Sequence, residues 1–287
     1  MMTRRSSVVG LSPRRLVLAS LGAVLLAPRL SAASTTTLRL GGTGMALAIT
    51  RILVERFAGL GEVLVDPQVL TSLGTSGGLA ALRRGHLDLA LSARALTAAE
   101  EAAGLSAVAF ARTPNTFATR PDTRTESVTL ALVERIMAGG MMQWSDGAPL
   151  RLVRRDRSES DWVMLASLSA GMAQAVERAL ARPGLATVGT DQENADLLEQ
   201  IPGSFGMISL GQILSERRRL RPLALDGVVP TPAAMADGRY PFARSLFLVT
   251  RADAAEVSVL FRGFLGHAIA RRLMVERGYQ PLLGDAA

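Results

Sequence analysis

The stretch Thr37-Leu38-Arg39-Leu40-Gly41-Gly42-Thr43-Gly44 decides the fold class. Its first four residues read as a short strand and its glycine-rich end as a turn. From Met45 to Phe57 the apolar residues then recur at helical spacing. Downstream the order repeats. Residues from Glu62 to Val65 form a second short strand, Gly74-Thr75-Ser76-Gly77-Gly78 opens a helix from Leu79 to Arg84, and Leu87 to Leu91 is a third strand leading into Ser92-Ala93-Arg94. Strands alternating with helices imply βαβ units, so the chain is expected to be α/β with mainly parallel sheets. In open sheets of this kind the loops at the carboxyl ends of the strands gather at one crevice.

Composition narrows the class. At 287 residues, 48% of them hydrophobic, the chain is long enough for two lobes with substantial cores. Aromatic residues make up only 4%, which suits helices packed on sheets better than an aromatic recognition surface. The formal charge of +7 does not mark a nucleic-acid binder. Five arginines lie in the first 33 residues, where no acid occurs, and without them the charge falls to +2. The remaining arginines are interspersed with Asp and Glu, so no basic stripe forms. The absence of cysteine excludes disulfides, thiolate nucleophiles and Cys-ligated metals, and the absence of lysine excludes a P-loop.

Residues 1–33 have the anatomy of a signal peptide: a basic start, an apolar run from Leu16 to Ala27 and the small-residue ending Leu30-Ser31-Ala32-Ala33. The run is shorter than the ~20 residues of a spanning helix, and Pro28 and Arg29 interrupt it. Ser12-Pro13-Arg14-Arg15-Leu16 also has twin-arginine character, and both that route and ordinary Sec export stay open. A periplasmic or secreted protein is expected.

Further along, Thr116 to Thr119 reads as a strand and Arg120-Pro121 as a change of local character, which sets the lobe boundary there. A helix is expected over residues 128–138, a strand from Leu150 to Arg154, helices near 162–180 and 192–200, and a turn and strand from Ile201 to Ile208. Ser245 to Thr250 is expected as a strand returning to the first lobe, and Ala255 to Arg277 as the last helix. The division is thus residues 34–117 plus 236–287 for one lobe and 118–235 for the other.

Four segments place hydroxyl or arginine side chains beside glycine or at a strand end: Gly42-Thr43-Gly44, Gly74 to Gly78, Ser92-Ala93-Arg94, and Arg154 with Ser158 and Ser160. Helix starts leave backbone N–H groups free and carry partial positive charge, so they hold anions; hydroxyls and arginine forks add donors. Ordinary capping explains each segment singly. Their convergence at strand ends is what points to a site. His86 and His267 are far apart and beside no nucleophile, and no metal set or acid–base pair can be assembled, so an enzyme is not expected.

From Leu40 to Leu96 the order strand, Gly-Thr-Gly turn, helix, Gly-Thr-Ser-Gly-Gly, then Asp88-Leu89-Ala90-Leu91-Ser92 with Arg94, resembles the periplasmic phosphate-binding proteins of ABC importers. The resemblance continues through Trp144, Val153-Arg154-Arg155, Ile201-Pro202-Gly203-Ser204-Phe205-Gly206 and Tyr240-Pro241. It implies a type II periplasmic-binding fold, two lobes joined by two hinge crossovers that close on a phosphate-like oxyanion for delivery to a membrane permease. No cofactor, metal or nucleic acid is implied, and a monomer is the default of the class. The implied contacts are Thr43 and Gly44, Thr75 with Ser76 and Gly77, Ser92 and Arg94, and Arg154, or Arg155 after a one-residue slip, with Ser158 and Ser160.

Two departures bear on the ligand. Family members that select phosphate carry Asp where this chain has Ala93, and the second-lobe turn Arg154-Arg155-Asp156-Arg157-Ser158-Glu159-Ser160 has charged residues in place of two glycines. Glu159 and Asp161 either accept ligand protons instead or cap the next helix, and Arg94 either meets the anion or pairs with Glu100 or Glu101. Asp191 is expected as a helix cap. The alternative function is a non-transport binding or sensor module on the same fold with an altered or lost ligand.

Overall fold

The structure, a computed structural model, describes residues 35–61 and 63–284; the leader expected over residues 1–33 and Glu62 at the expected start of the second strand lie outside the described residues. Strand β1 (Thr36–Gly42) buries Leu38 and Leu40 completely and hands over to helix α1 (Gly44–Ala58). Gly42 makes the handover possible. Its φ is +140°, and a Cβ there would lie 2.1 Å from the Leu91 carbonyl oxygen. Strands β2 (Val65–Val69) and β3 (Leu89–Ser92) flank β1 in parallel, with Leu40 opposite both Val69 and Leu89. Between them helix α2 (Gly74–Arg83) begins at Gly74 rather than Leu79. Gly-Thr-Ser-Gly-Gly is a poor helix former, but Gly78 lets α2 lie against the β1 backbone: a Cβ on it would come within 2.6 Å of Gly42 Cα.

Asp88 is an isolated carboxylate in the sequence, yet it ties β1 to the start of β3. Its Oδ2 accepts the Arg39 backbone N–H at 2.8 Å and its Oδ1 accepts Arg39 Nη2 at 2.8 Å. Partial burial opposes its charge most strongly, but the bonds from Arg39 outweigh that and hold its pKa below the usual aspartate value.

After the short helix α3 (Ala98–Ala102) comes strand β4 (Leu105–Thr119), fifteen residues long, of which only the end was expected. The second half of the chain carries β5 (Ser127–Val128), α4 (Leu130–Met137), β6 (Arg151–Leu152), β7 (Arg154–Arg155), α5 (Ser160–Ala166), α6 (Ala170–Ala181), β8 (Thr187–Val188), α7 (Asp191–Gln200), β9 (Ser204–Ser209) and α8 (Leu210–Ser215). Then follow β10 (Arg221–Pro222), β11 (Ala224–Leu225), α9 (Pro232–Ala236), β12 (Ala243–Arg251), α10 (Glu256–Phe264), α11 (Ala268–Glu276) and β13 (Gln280–Pro281). Two stretches expected as single helices are each broken in two. Ser169 caps α6 by accepting the Met172 N–H, and His267 caps α11 by accepting the Ile269 N–H, so local side-chain bonds restart the helix in both places.

The sheet order is β2-β1-β3-β12-β4-β9-β6. β12 runs antiparallel between β3 and β4, which gives the expected return to the first strands. Two large apolar cores result. One gathers Leu38, Ile49, Leu53, Phe110, Leu248 and Phe261; the other gathers Phe117, Trp144, Trp162, Phe205 and Phe242. Stacked Phe117 and Phe205 rings 5.1 Å apart anchor the second. β4 contributes to both cores, through Phe110 and Phe117, while β12 carries Leu248 of the first core and starts directly after Phe242 of the second. No helix of the described residues is long and apolar enough to cross a membrane.

Candidate functional site

The ends of β1 and β3 and the start of α2 face β7, the turn before α5 and the start of α7 across a cavity of about 360 Å³. Thr43, Met45, Ser72 to Gly77, Ala93 and Arg94 line one side. Arg155, Ser158 to Asp161, Gly189 to Asp191 and Arg244 line the other.

On the first side α2 presents a bare helix start. Leu73 at its N-cap makes no side-chain capping bond, and the first turn holds no acid, so its free N–H groups and partial positive charge face the cavity wall unneutralised. The Thr75 hydroxyl accepts the Ala93 N–H at 3.0 Å, which fixes its oxygen and leaves its proton to donate. Ser76 is exposed beside it.

Three arginines reach the cavity, each paired with an acid. Arg94 binds Glu100 through both Nη atoms at 2.8 Å. Those bonds, with the Thr97 N–H, pull the Glu100 pKa down to about 2. Arg155 is only 6% exposed. It bonds Glu159 at 2.7 Å and Asp191 at 3.0 Å. Burial works hardest against its charge, but Asp191 and Glu159 outweigh burial and hold its pKa above the usual value. Arg244 donates to the Ser160 hydroxyl at 2.8 Å and pairs with Asp161, whose Oδ1 also accepts the Asn115 amide at 2.9 Å. Burial pushes the Arg244 pKa below the usual arginine value, with Glu159 opposing and Arg155 adding to the fall. The Nε atoms of Arg155 and Arg244 are buried and find no partner among the described residues. Two buried donors on residues that line the cavity are thus left unanswered.

The sequence-predicted residues divide accordingly. Thr43, Thr75, Ser76, Gly77, Arg94, Arg155, Ser158 and Ser160 line the cavity. Gly44, Ser92 and Arg154 do not. Gly44 lies beneath Asp191 and Gln192, whose atoms would meet a Cβ at 2.8 and 2.4 Å. Ser92 is fully buried and donates its hydroxyl to the Arg94 carbonyl at 2.6 Å. Arg154 turns away: its Nη1 caps the end of α6, bonding the carbonyls of Ala179, Leu180 and Arg182, while its Nε donates to Thr187. The Ser158 hydroxyl is already committed, donating to Asp156 at 2.7 Å.

Arg244 was not singled out from the sequence. It starts a strand and meets Ser160 and Asp161 more than eighty positions away, so no local pattern marks it. Glu159 and Asp161 make ion pairs rather than helix caps. Asp191 is likewise not the cap of α7. Thr190 caps that helix in a box with Glu193, which leaves the Asp191 carboxylate to reach the start of α1.

Comparison with known proteins gives this geometry its context. The phosphate-binding protein PstS of Borreliella burgdorferi is 24% identical over 213 residues, covering 72% of this chain and 76% of that protein. A Clostridium perfringens substrate-binding protein solved with bound phosphate is 17% identical, superposes with a TM-score of 0.70 and covers 86% of this chain and all of that one. An ABC-type phosphate transport receptor from Vibrio cholerae is 21% identical, with a TM-score of 0.57, covering 85% of this chain and 99% of its own. The resemblance drawn from the sequence motifs and the type II periplasmic-binding fold that it implied are therefore borne out. The PBP superfamily domain model matches residues 27–271, most of the chain, and the protein belongs to that family.

Proposed function

We propose that the protein is the exported solute-binding component of an ABC-type importer and captures a phosphate-like oxyanion in the cavity between β3 and β7. The observation that carries this reading is the uncapped start of α2 opposite Arg155 and Arg244, whose buried Nε donors are unpartnered. The anion would take the Thr75, Ser76 and Ser160 hydroxyls, the N–H groups of the first α2 turn, Arg155 and Arg244. This is a binding site rather than a catalytic one: every group assigned to the ligand is a donor that holds charge in place.

The same reading divides the chain into lobes of residues 34–117 plus 236–287 and 118–235. Its support is that β4 feeds both cores, and that the chain passes from Phe242 of the second core into β12, which carries Leu248 of the first, so these two stretches serve as the hinges. Periplasmic delivery as a monomer to a membrane permease belongs to the same reading; its support is that the Vibrio cholerae relative is an ABC-type phosphate transport receptor. The ion pairs that Arg94, Arg155 and Arg244 already make favour the alternative, a non-transport binding or sensor module with an altered or lost ligand.

Isothermal titration with phosphate, sulfate, molybdate and small organic acids separates the two. Saturable heat at one site per chain with phosphate or a close analogue is expected. Heat with none of them removes the importer reading and leaves the sensor module.

A further inference from the structure

Helix α1 makes no side-chain cap of its own: Thr43 gives no capping bond, and the first turn has no acid. The acid that meets it comes from the far side of the cavity. Asp191 Oδ2 accepts the Met45 N–H at 2.9 Å and the Thr43 hydroxyl at 3.4 Å, while its Oδ1 accepts Arg155 Nη1 at 3.0 Å. Beside it Gln192 Nε2 donates to the Gly44 carbonyl at 3.0 Å. The fit is close, since a Cβ on Gly44 would come within 2.8 Å of Asp191. Its own helix does not need Asp191, because Thr190 and Glu193 already form the capping box of α7. One of the two helix starts at the cavity is therefore neutralised from within, while that of α2 stays open across the cavity from Arg155, whose buried Nε is unpartnered.

We propose that Asp191 is a resident anion that fills the α1 end of the cavity and restricts the site to ligands carrying a single anionic group. The inference rests on the oxyanion-binding reading above. A ligand with two anionic groups, one held at α2, sets its second group against the Asp191 carboxylate. The two negative charges then compete for Thr43, the Met45 N–H and Arg155, and like charges brought together in a desolvated site repel strongly. With the carboxylate gone, the α1 start becomes free to receive that second group.

Titration of the purified protein with phosphate and with phosphonoacetate, which carries a phosphonate and a carboxylate, tests this. In Asp191→Ala the affinity for phosphonoacetate relative to phosphate is expected to rise about tenfold or more over wild type. Asp191→Asn keeps the size of the side chain and is expected to move the ratio the same way, which covers the case of an alanine variant that does not fold. Gln192→Ala removes the neighbouring contact without changing charge and should leave the ratio at its wild-type value. An unchanged ratio in both Asp191 variants, or an equal rise in Gln192→Ala, overturns the inference while the oxyanion reading stands. Failure of the wild type to bind phosphate, sulfate, molybdate or a small organic acid removes both.

Discussion

Arg155→Ala is expected to abolish measurable oxyanion binding, whereas Arg154→Ala should leave it intact. The two residues are neighbours in β7, yet they do different work. Arg155 is 6% exposed, lines the cavity and keeps one donor free. Arg154 is spent on the last carbonyls of α6. Removing one partner of a desolvated charge contact costs about 2–5 kcal/mol of binding, enough to push a micromolar ligand out of range. The fold pays as well, because Asp191 and Glu159 would be left without their shared cation; breaking a buried pair costs about 3–5 kcal/mol of stability. Thermal unfolding run beside the titrations shows whether Arg155→Ala remains folded at the assay temperature. For Arg154→Ala the expectation is reversed: a lower melting temperature from the released α6 carbonyls, with unchanged affinity. Binding that survives in Arg155→Ala and vanishes in Arg154→Ala contradicts the site as assigned.

The largest loss of stability is expected at Gly42→Ala. Two independent penalties fall on this residue. Its φ of +140° is a conformation that side chains rarely adopt, and the added methyl would lie 2.1 Å from the Leu91 carbonyl oxygen in the neighbouring strand. Gly78 packs against the same point from α2, so the backbone cannot move aside freely. A strained backbone costs about 1–3 kcal/mol and overpacking a similar amount, which together approach the whole margin of a typical domain. Denaturant unfolding should show a drop of several kcal/mol or an insoluble variant. A change under about 1 kcal/mol would mean that the β1–α1 turn is more yielding than its geometry indicates.

The glycines of this turn explain why so much of the fold was legible. Gly42 and the apolar spacing of α1 are local signals, and the parallel placement of β2 and β3 follows from strand–helix alternation. What escaped was set by contacts distant in sequence. β4 hid behind Arg112-Thr113-Pro114-Asn115, which breaks any apolar alternation; β12 and β9 cover these positions, so the polar residues are satisfied in place. Thr113, for example, bonds the Gly278 carbonyl, and Asn115 bonds Asp161. The start of α2 was hidden for another reason: its glycines and hydroxyl residues disfavour a helix in isolation, and packing on Gly42 overrides them.

The candidate site was legible to the level of segments but not of side chains. In a strand successive residues point to opposite faces, so the choice between Arg154 and Arg155 depends on register, and a one-residue slip exchanges cavity for helix end. Asp191 and Arg244 could not be placed without the fold, since their partners lie on other elements far along the chain. The acids that might answer the absence of a carboxylate at Ala93 were visible as Glu159 and Asp161. That both would be tied to arginines was not.

The claim that this cavity holds a small oxyanion is tested most directly by a crystal structure of the protein grown in saturating phosphate. The account predicts one tetrahedral anion within hydrogen-bond distance of the Thr75 hydroxyl, the first-turn N–H groups of α2 and Arg155, with Asp191 still seated on the Met45 N–H. A cavity holding only water under those conditions, or phosphate bound solely elsewhere on the surface, would contradict it.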